Sequence, residues 1–270
     1  PGITKLKPRP GVMRDFRLTV DYPEDLLLLR IVLRALGPMA SLDAICQYLD
    51  QRPHLRALNR LPDITFYTCA RNAEPWVSEA ARSVLFSGVP EMEYIMVDDG
   101  STDRTLEEMS LFATDPRVRL IVNPRNLGLA SSSNIAIDAA RGRVVCRLDA
   151  DDRLEDWTLR KEWPAIKDAL ETSADIVYPP YHEINEFGGM EDPEPKDPRT
   201  HHHAGGAFMN RAFLNEMRFK DGLRHWDSAE LNKRASKVGR IRYWDVPLWW
   251  YRVRPGSMSQ PSPEREALRP

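Results

Sequence analysis

Short apolar segments alternate with helical segments through the middle of the sequence, and this alternation constrains the fold more than any other feature. The intervening segments have the apolar spacing of helices, and strand and helix alternate four times. Strands that are almost continuously apolar are typical of parallel sheets covered on both faces. The sequence therefore predicts an α/β fold with a mostly parallel, doubly wound sheet. The predicted strands are Asp63–Cys69, Tyr94–Val97, Val118–Val122, Val144–Leu148 and Asp175–Tyr178.

Three of the predicted strands end in polar clusters. The first is followed by Arg71 and Asn72, the second by Asp98–Ser101, and the fourth by Asp149–Asp152. Ligands bind at the carboxyl ends of the strands in doubly wound sheets, so we expect the three clusters to form one site. The patterns GxGxxG and GxxxxGK[ST] are absent from the sequence, which disfavours dehydrogenase and P-loop NTPase functions.

The fourth strand runs directly into Asp149, Asp151 and Asp152. In an extended segment, Asp149 and Asp151 leave the backbone on the same side. Carboxylates this close repel one another unless they share a cation, and oxygen ligands of this kind suit Mg²⁺ or Mn²⁺ together with substrate phosphates. The alternative is a solvated acidic turn with Asp152 or Asp156 as the cap of the next helix. For Asp152 we favour the cap.

Composition limits the class of protein. A formal net charge of −2 over 270 residues indicates neither a nucleic-acid partner nor a polybasic membrane patch. The longest apolar segment, Leu26–Leu36, contains two arginines and is too short to cross a membrane. Three widely spaced cysteines in apolar surroundings predict reduced core thiols. We therefore expect a cytoplasmic protein, and peripheral attachment at the inner face of a membrane stays open.

Three parts are predicted along the chain. Residues 1–60 form an N-terminal helical extension with a linker, residues 61–259 form the main domain, and residues 260–270 form a disordered tail. The extension is too short for a catalytic core of its own. Its predicted helices are Leu26–Leu36, Leu42–Leu49 with Ser41 as its cap, and Pro53–Asn59.

The order of motifs in the main domain resembles glycosyltransferase family 2, whose members have the GT-A fold. The resemblance covers 61–259 and implies an inverting, metal-dependent transfer of a sugar from a nucleotide-sugar to an acceptor hydroxyl. The matching segments are YIMVDDGSTDRT, NPRNLGLASSSNIAIDAARG, RLDADD, DSAELNKRASKVG and PLWWYRVRPGSMS, which begin at Tyr94, Asn123, Arg147, Asp227 and Pro247.

The resemblance implies roles in binding the nucleotide-sugar for several polar residues. Asn72 follows the first strand, and Asp99 matches the position that contacts the base, with Asp98 beside it. Asp149 and Asp151 match the DXD motif, in which the first acid faces the ribose and the second holds Mn²⁺ or Mg²⁺ on the diphosphate. Both are therefore candidate metal ligands. A divalent cation there neutralises the negative charge that develops on the leaving diphosphate.

The segment expected to contain the catalytic base departs from the family pattern. The family has a Glu-Asp pair before a helix, and the matching residues here are Asp-Ser, beginning at Asp227 and preceded by His-Trp. An inverting transfer needs one base to take the proton of the acceptor hydroxyl. Asp227 is our choice and His225 is the alternative, while a purely structural role for Asp227 is the cap of a helix over Ala229–Val238. The residues at the end of the first strand, Cys69–Asn72, also depart from the family pattern, and Arg71 among them is a candidate for donor specificity.

The C-terminal half contains a histidine run and a charged segment. Glu183–Thr200 is predicted to be a mobile loop or a hairpin near the acceptor side. Adjacent histidines in one strand or loop cannot all point at one ion, so His201–His203 are expected to be structural or phosphate-facing. His203 is the candidate to line the acceptor or diphosphate pocket.

Aromatic and basic residues follow near the end of the main domain. Trp244, Trp249, Trp250 and Tyr251 fit either core packing or stacking against sugar rings, and at least two are expected in the core. The resemblance implies that Arg252, in a segment that can close over the donor, contacts the diphosphate. A guanidinium pairs well with phosphate oxygens.

The N-terminal extension carries a second resemblance. RLTVDYPEDLLLLR and SLDAICQYLDQRPHLRALNR, within Phe16–Arg60, resemble the C-terminal tail of cytidylyltransferase-like sugar nucleotidyltransferases. The Gly-rich loop of those enzymes is absent, so we do not carry over their activity. The resemblance implies either an upstream nucleotidyltransferase domain in a larger fusion or helices retained as a packing cap. A homodimer interface on these helices also stays open.

The residues and the resemblances together predict an inverting glycosyltransferase that depends on Mn²⁺ or Mg²⁺. We expect a UDP-linked sugar as donor and a glycan or small-molecule acceptor, in surface or capsule glycan synthesis, with no nucleic acid as partner. Two alternatives remain. One is a nucleotidyltransferase, suggested by Phe16–Arg60, and the other is a non-catalytic domain of a larger glycan-assembly protein.

Overall fold

The structure is a computed structural model that describes residues 23–56, 60–199, 203–223 and 227–255. The chain divides into two compact units, Pro1–Leu61 and Pro62–Pro270, each described by itself. The predicted tail over 260–270 lies outside the described residues, as do His201, His202 and His225.

In its described part, 23–56 and 60–61, the first unit contains three helices around a small apolar core of Leu28, Val32, Leu49 and Leu55. The predicted cap of the second helix is confirmed, because Ser41 Oγ accepts a hydrogen bond from the Ala44 N–H at 3.2 Å. The end of the third predicted helix, at 57–59, lies outside the described residues. The helices are α1 (Pro23–Leu36), α2 (Leu42–Asp50) and α3 (Pro53–Arg56).

The second unit is built on a seven-stranded sheet with the order β10-β6-β9-β4-β1-β2-β3, and a smaller four-stranded sheet with the order β5-β11-β7-β8. In chain order the strands are β1 (Ile64–Ala70), β2 (Met92–Asp98), β3 (Val118–Val122), β4 (Val144–Arg147), β5 (Arg153–Leu154), β6 (Ile176–Tyr178), β7 (Tyr181–Ile184), β8 (Met190–Lys196), β9 (Phe208–Asn210), β10 (Ile241–Tyr243) and β11 (Trp249–Arg252). The helices are α4 (Val77–Leu85), α5 (Thr105–Ser110), α6 (Leu129–Ala139), α7 (Asp156–Thr172), α8 (Arg211–Met217) and α9 (Asp227–Val238).

The large sheet is mostly parallel, as predicted. Strand β1 pairs in parallel with β2 and β4, β2 pairs with β3, and β10 pairs with β6. Strand β9 is the exception, because it runs antiparallel between β4 and β6. Helices cover both faces: α4, α5 and α7 contribute to one apolar core, and α6, α8 and α9 contribute to the other. This burial explains why β1 and β2 are almost continuously apolar.

In the small sheet, the segment predicted to be a mobile loop or a hairpin, Glu183–Thr200, contains β8 and the end of β7, which form an antiparallel pair. The other strands of this sheet, β5 and β11, bring the segment after Asp152 beside the C-terminal aromatic residues. Trp249 is 2 % exposed and lies against Gly206, whose φ of +74° places the backbone where a side chain would meet the indole. None of the described helices is long and apolar enough to cross a membrane.

Candidate active site

The polar clusters predicted from the sequence follow strands β1, β2 and β4. These are neighbouring parallel strands in the large sheet, so their carboxyl ends lie along one edge. The loop that leads into β9 joins this edge, because Gly205 forms a bridge with Arg147 and the Gly206 N–H donates to the Arg147 carbonyl at 2.7 Å. Gly205 lies against Asp149, and a Cβ there would come within 3.2 Å of Asp149 Oδ2.

Asp99 holds a loop of its own protein. Its Oδ1 accepts hydrogen bonds from Asn123 Nδ2 at 2.9 Å and the Leu127 N–H at 2.8 Å, and its Oδ2 accepts from the Gly128 N–H at 2.9 Å. Asp98 is also buried, and its Oδ2 accepts only a long bond of 3.3 Å from the Ser101 N–H. Its Oδ1 has no hydrogen-bond donor among the described residues.

Asn72 joins the loops that follow β1 and β2. Its backbone N–H donates to Ser101 Oγ at 3.1 Å, and its side-chain oxygen accepts from the Thr102 N–H at 2.8 Å. Its φ of +52° is in the left-handed region, which asparagine tolerates better than most residues. The side chains of Asn72 and Asp99 both already hold loops of the site. Their predicted contacts with a nucleotide-sugar stay predictions.

Arg147 brings Asp149 together with Asp227, the candidate base. Its Nε lies 2.9 Å from Asp149 Oδ1, and its Nη1 donates to Asp227 Oδ2 at 2.7 Å. Its Nη2 donates to Ser228 Oγ at 3.1 Å. The structure therefore places Asp149 and Asp227 on one guanidinium, although 78 positions separate them in the sequence. Asp227 is the first residue of α9, so the alternative role predicted for it, as the cap of a helix over Ala229–Val238, is wrong.

Asp151 and Asp152 face different partners. Asp151 Oδ2 lies 2.7 Å from Arg254 Nε, and the Arg254 guanidinium lies over the Trp76 ring at 4.4 Å from its centroid. Asp152 is buried and its Oδ1 accepts from the Arg252 N–H at 2.8 Å. The prediction that Asp152 caps the next helix is wrong, because α7 begins at Asp156 with Glu155 in the cap position.

Arg252 is held inside the protein. Its side chain is 2 % exposed, and its Nε donates to the Asp151 carbonyl at 2.7 Å. Its Nη1 donates to the carbonyls of Asn185 at 3.2 Å and Glu186 at 3.1 Å, while Nη2 reaches Glu79 Oε2 at 2.5 Å. Contact with a phosphate would require these bonds to break, so that predicted role is not favoured by the geometry. Arg252 instead ties the β7–β8 turn to the backbone of the DXD segment.

Burial and charge shift the pKa values at this edge. Burial raises the pKa of Asp149, and the charges of Asp151 and Asp227 act in the same direction, while Arg147 opposes them. Burial also raises the pKa of Asp152 well above its usual range, with Asp151 and Asp149 adding to the effect. Burial alone would lower the pKa of Arg147, but Asp149 and Asp227 outweigh it and raise that pKa well above its usual value. Arg147 is therefore a permanent cation.

The carboxylates of Asp149 and Asp151 have oxygens that a divalent cation could use. Across the described ranges, no three His, Cys, Asp or Glu side chains form a ready-made metal cluster. Asp149 Oδ2 and Asp151 Oδ1, however, receive no hydrogen bond from the described residues. Two carboxylates, each with one available oxygen, match the way Mg²⁺ binds through one or two carboxylates and substrate phosphates.

The C-terminal aromatic residues divide between core and site edge. Trp249 and Tyr181 are buried, and Tyr251 is partly exposed. The His203 ring is tilted by 36° against the Tyr251 ring with centroids 5.0 Å apart, and it meets Tyr181 edge-on at 5.4 Å. His203 therefore packs in an aromatic group close in sequence to Gly205, which lies against Asp149. Trp250 donates from its indole N–H to Glu155, which is a structural role.

Two site residues were not singled out from the sequence. Arg147 stands in a strand where its neighbours are apolar, and a charged residue at a position predicted to be buried was the available signal. Glu79 gave no signal, because an acid in the first turn of a helix is common; it pairs with both Arg153 and Arg252.

Comparisons with known proteins identify the family. Residues 65–224 match the family described as Glycosyl transferase family 2. The hyaluronan synthase of Pasteurella multocida is 39 % identical over 99 residues, which are 36 % of this chain and 10 % of that protein. The succinoglycan biosynthesis protein ExoO of Rhizobium meliloti is 38 % identical over 105 residues, 39 % of this chain and 30 % of that protein. The matches thus span a third or less of these two relatives' own lengths.

Solved structures share the fold. S. aureus TarS 1-349 in complex with UDP-GlcNAc superposes with a TM-score of 0.62, at 20 % identity, over 73 % of this chain and 60 % of that one. This likeness confirms the predicted GT-A architecture. The family match begins at residue 65, so the resemblance of Phe16–Arg60 to nucleotidyltransferases stays a hypothesis. Because the match covers more than half of the chain, the protein belongs to glycosyl transferase family 2 and is a glycosyltransferase.

Proposed function

We propose that this glycosyltransferase moves a sugar from a UDP-linked donor to an acceptor hydroxyl, with inversion and with a divalent cation, during the assembly of a surface or capsule glycan. The observation that carries the proposal is the pair of acids on Arg147. Asp149, the first acid of the DXD segment, and Asp227, the candidate base, contact the same guanidinium. The relatives support the setting, since their names are those of a hyaluronan synthase and a succinoglycan biosynthesis protein.

The acids at the carboxyl ends of β2 and β4 support the proposed binding of the nucleotide-sugar donor. Asp149 and Asp151 would hold Mn²⁺ or Mg²⁺, which supplies charge neutralisation for the leaving diphosphate. Of the two acids at the carboxyl end of β2, Asp98 is better suited to accept an N–H of the base, because its Oδ1 has no donor among the described residues. Asp99 would then act through the loop that it holds. UDP is the expected carrier, since TarS has been solved with UDP-GlcNAc and with UDP.

Asp227 supports the proposed activation of the acceptor hydroxyl. Its Oδ2 accepts from Arg147, and its Oδ1 receives no hydrogen bond within the described part of the chain. A fixed carboxylate with one available oxygen is suited to take the proton of an acceptor hydroxyl while the hydroxyl oxygen attacks the sugar. His225 stays the alternative base.

Titration calorimetry of UDP, CDP and GDP, with and without Mn²⁺, tests the donor site. We expect UDP to bind in the presence of Mn²⁺ and Asp151→Asn to weaken that binding by about tenfold or more, because one metal ligand loses its charge. Asp245→Asn is the matched control, since the Asp245 side chain is 92 % exposed.

The other outcomes separate the alternatives. Tightest binding of CDP or CTP, with release of pyrophosphate from CTP, would favour the nucleotidyltransferase. Binding of UDP and Mn²⁺ without transfer to any acceptor would favour a non-catalytic domain. Absence of nucleotide binding in both conditions would refute the proposed donor site.

A further inference from the structure

A buried arginine stands at the end of a central strand. Arg147 belongs to β4, whose side chains are all buried, and its own side chain is 4 % exposed. Removing a charged group from water is costly unless the charge is paired and its donors are satisfied. Here Asp227 and Ser228 accept hydrogen bonds from Nη1 and Nη2, and Asp149 Oδ1 forms an ion pair with Nε at 2.9 Å that lacks hydrogen-bond geometry. The Phe219 ring lies 5.6 Å from the guanidinium carbon.

The partners of Arg147 come from separate parts of the chain. Asp149 lies in the loop after β4, while Asp227 and Ser228 form the first turn of α9. A guanidinium is planar and rigid, so its nitrogens fix the positions of the groups they bind more closely than a flexible ammonium would. Each carboxylate gives one oxygen to Arg147, and its other oxygen receives no hydrogen bond from the described residues.

We propose that Arg147 is a positioning residue for the transfer reaction. Its guanidinium sets the spacing between Asp149 on the donor side and Asp227 on the acceptor side, and so aligns the attacking hydroxyl with the sugar. This inference rests on the proposed function and adds to it a residue that acts through the two acids. Alignment matters because a displacement of about 1 Å in a catalytic site can cost on the order of 100-fold in rate.

Arg147→Lys is the direct test. An ammonium keeps the charge but cannot hold Asp149, Asp227 and Ser228 in one plane. We expect kcat for sugar transfer to fall by roughly 10- to 100-fold, with the affinity for UDP and Mn²⁺ less affected. In an Asp227→Asn background the same substitution should lower kcat by less than about threefold, because alignment no longer matters once the base is lost.

Arg141→Lys is the matched control. Arg141 pairs with Glu93 at 2.9 Å, Glu93 is buried, and the pair lies at the amino end of β2, away from the acids of the site. We expect this variant to lower thermal stability without changing kcat. A purely structural Arg147 would behave in the same way, so the kcat of the two variants separates positioning from packing.

Four results would overturn the proposal. A kcat for Arg147→Lys within about threefold of the wild type would do so, as would an equal loss in the Asp227→Asn background. If Arg147→Lys does not fold, Ser228→Ala takes its place, since it removes only the partner of Nη2. An unchanged kcat for that variant would then count against positioning. Absence of transfer by the wild type with every nucleotide-sugar would remove the proposed function first and this inference with it.

Discussion

Asp98 and Asp99 are adjacent in the sequence, yet their carboxylates have different surroundings. Asp99 accepts three hydrogen bonds from the loop that leads to α6, whereas Asp98 keeps one buried oxygen without a donor among the described residues. Sequence reasoning chose Asp99 as the base contact because its position matched the family. The hydrogen bonds come from Asn123–Gly128, and no local pattern shows where such a loop will fold.

Asn substitutions at these two positions should therefore have different effects. Asp99→Asn should lower the free energy of unfolding by about 1–3 kcal/mol, because an amide nitrogen would face the N–H groups that Asp99 now binds. Asp98→Asn should instead weaken UDP binding by roughly tenfold, the effect of losing one charged hydrogen bond. Denaturant unfolding and calorimetry measure the two quantities on each variant. A stable Asp99→Asn that loses UDP binding would restore Asp99 as the base contact.

Other residues of the site could be predicted only in part. Asp149 and Asp151 follow a strand, so their place at the edge of the sheet was predictable from the alternation of the chain. The partners of Arg252 could not be predicted, because Glu79 and Asn185 come from a helix and a hairpin that meet it through the small sheet. A resemblance locates positions, whereas hydrogen bonds between distant segments depend on the folded backbone.

Elements were predicted well where the pattern was long and local. Strand β3 has the predicted bounds, and β1, β2 and β4 begin and end within two residues of the prediction. Strands β9 and β10 and helix α8 were not predicted. Each of the two strands has only three residues, too few for a periodic signal. The small sheet was missed too, because it pairs segments that are distant in the sequence.

Asp175 and Arg240 join two turns of the second unit. Arg240 donates to Asp175 through its backbone N–H at 2.8 Å and through Nη2 at 3.0 Å, which links the start of β6 to the start of β10. The hydrogen bonds from the Arg240 side chain and backbone lower the pKa of Asp175 below its usual value. A carboxylate with a lowered pKa stabilises the fold above the pKa it has in the unfolded chain, and the effect disappears as pH falls through the folded pKa.

Asp175→Asn should consequently be less stable than the wild type at about pH 7, and the difference should close as pH falls below about 4. Thermal unfolding across that range, monitored by circular dichroism, measures the difference. Asp245→Asn is the control, because its exposed side chain lies 4.0 Å from Arg199 and contributes little. A stability difference for Asp175→Asn that does not change with pH would show that the ionised carboxylate is not the cause.

At the scale of the whole molecule, the two units have separate cores. The core of the first unit is formed by Leu28, Val32, Leu49 and Leu55. The two cores of the second unit draw their buried members from the chain between Ile64 and Trp249. Each acid and arginine of the site also belongs to the second unit. The second unit therefore contains its own cores and every residue of the proposed donor site.

Removal of residues 1–61 tests this independence. We expect the remaining chain to unfold cooperatively, with a melting temperature within about 4 °C of the full chain, the shift that about 1 kcal/mol produces in a domain of this size. Its affinity for UDP in the presence of Mn²⁺ should stay within about threefold, a difference below 1 kcal/mol. A folded product that no longer binds UDP would mean that the helices α1–α3 act on the donor site. Sedimentation of both proteins addresses the remaining hypothesis, since a full-length dimer that becomes monomeric after the removal would assign these helices to a homodimer interface.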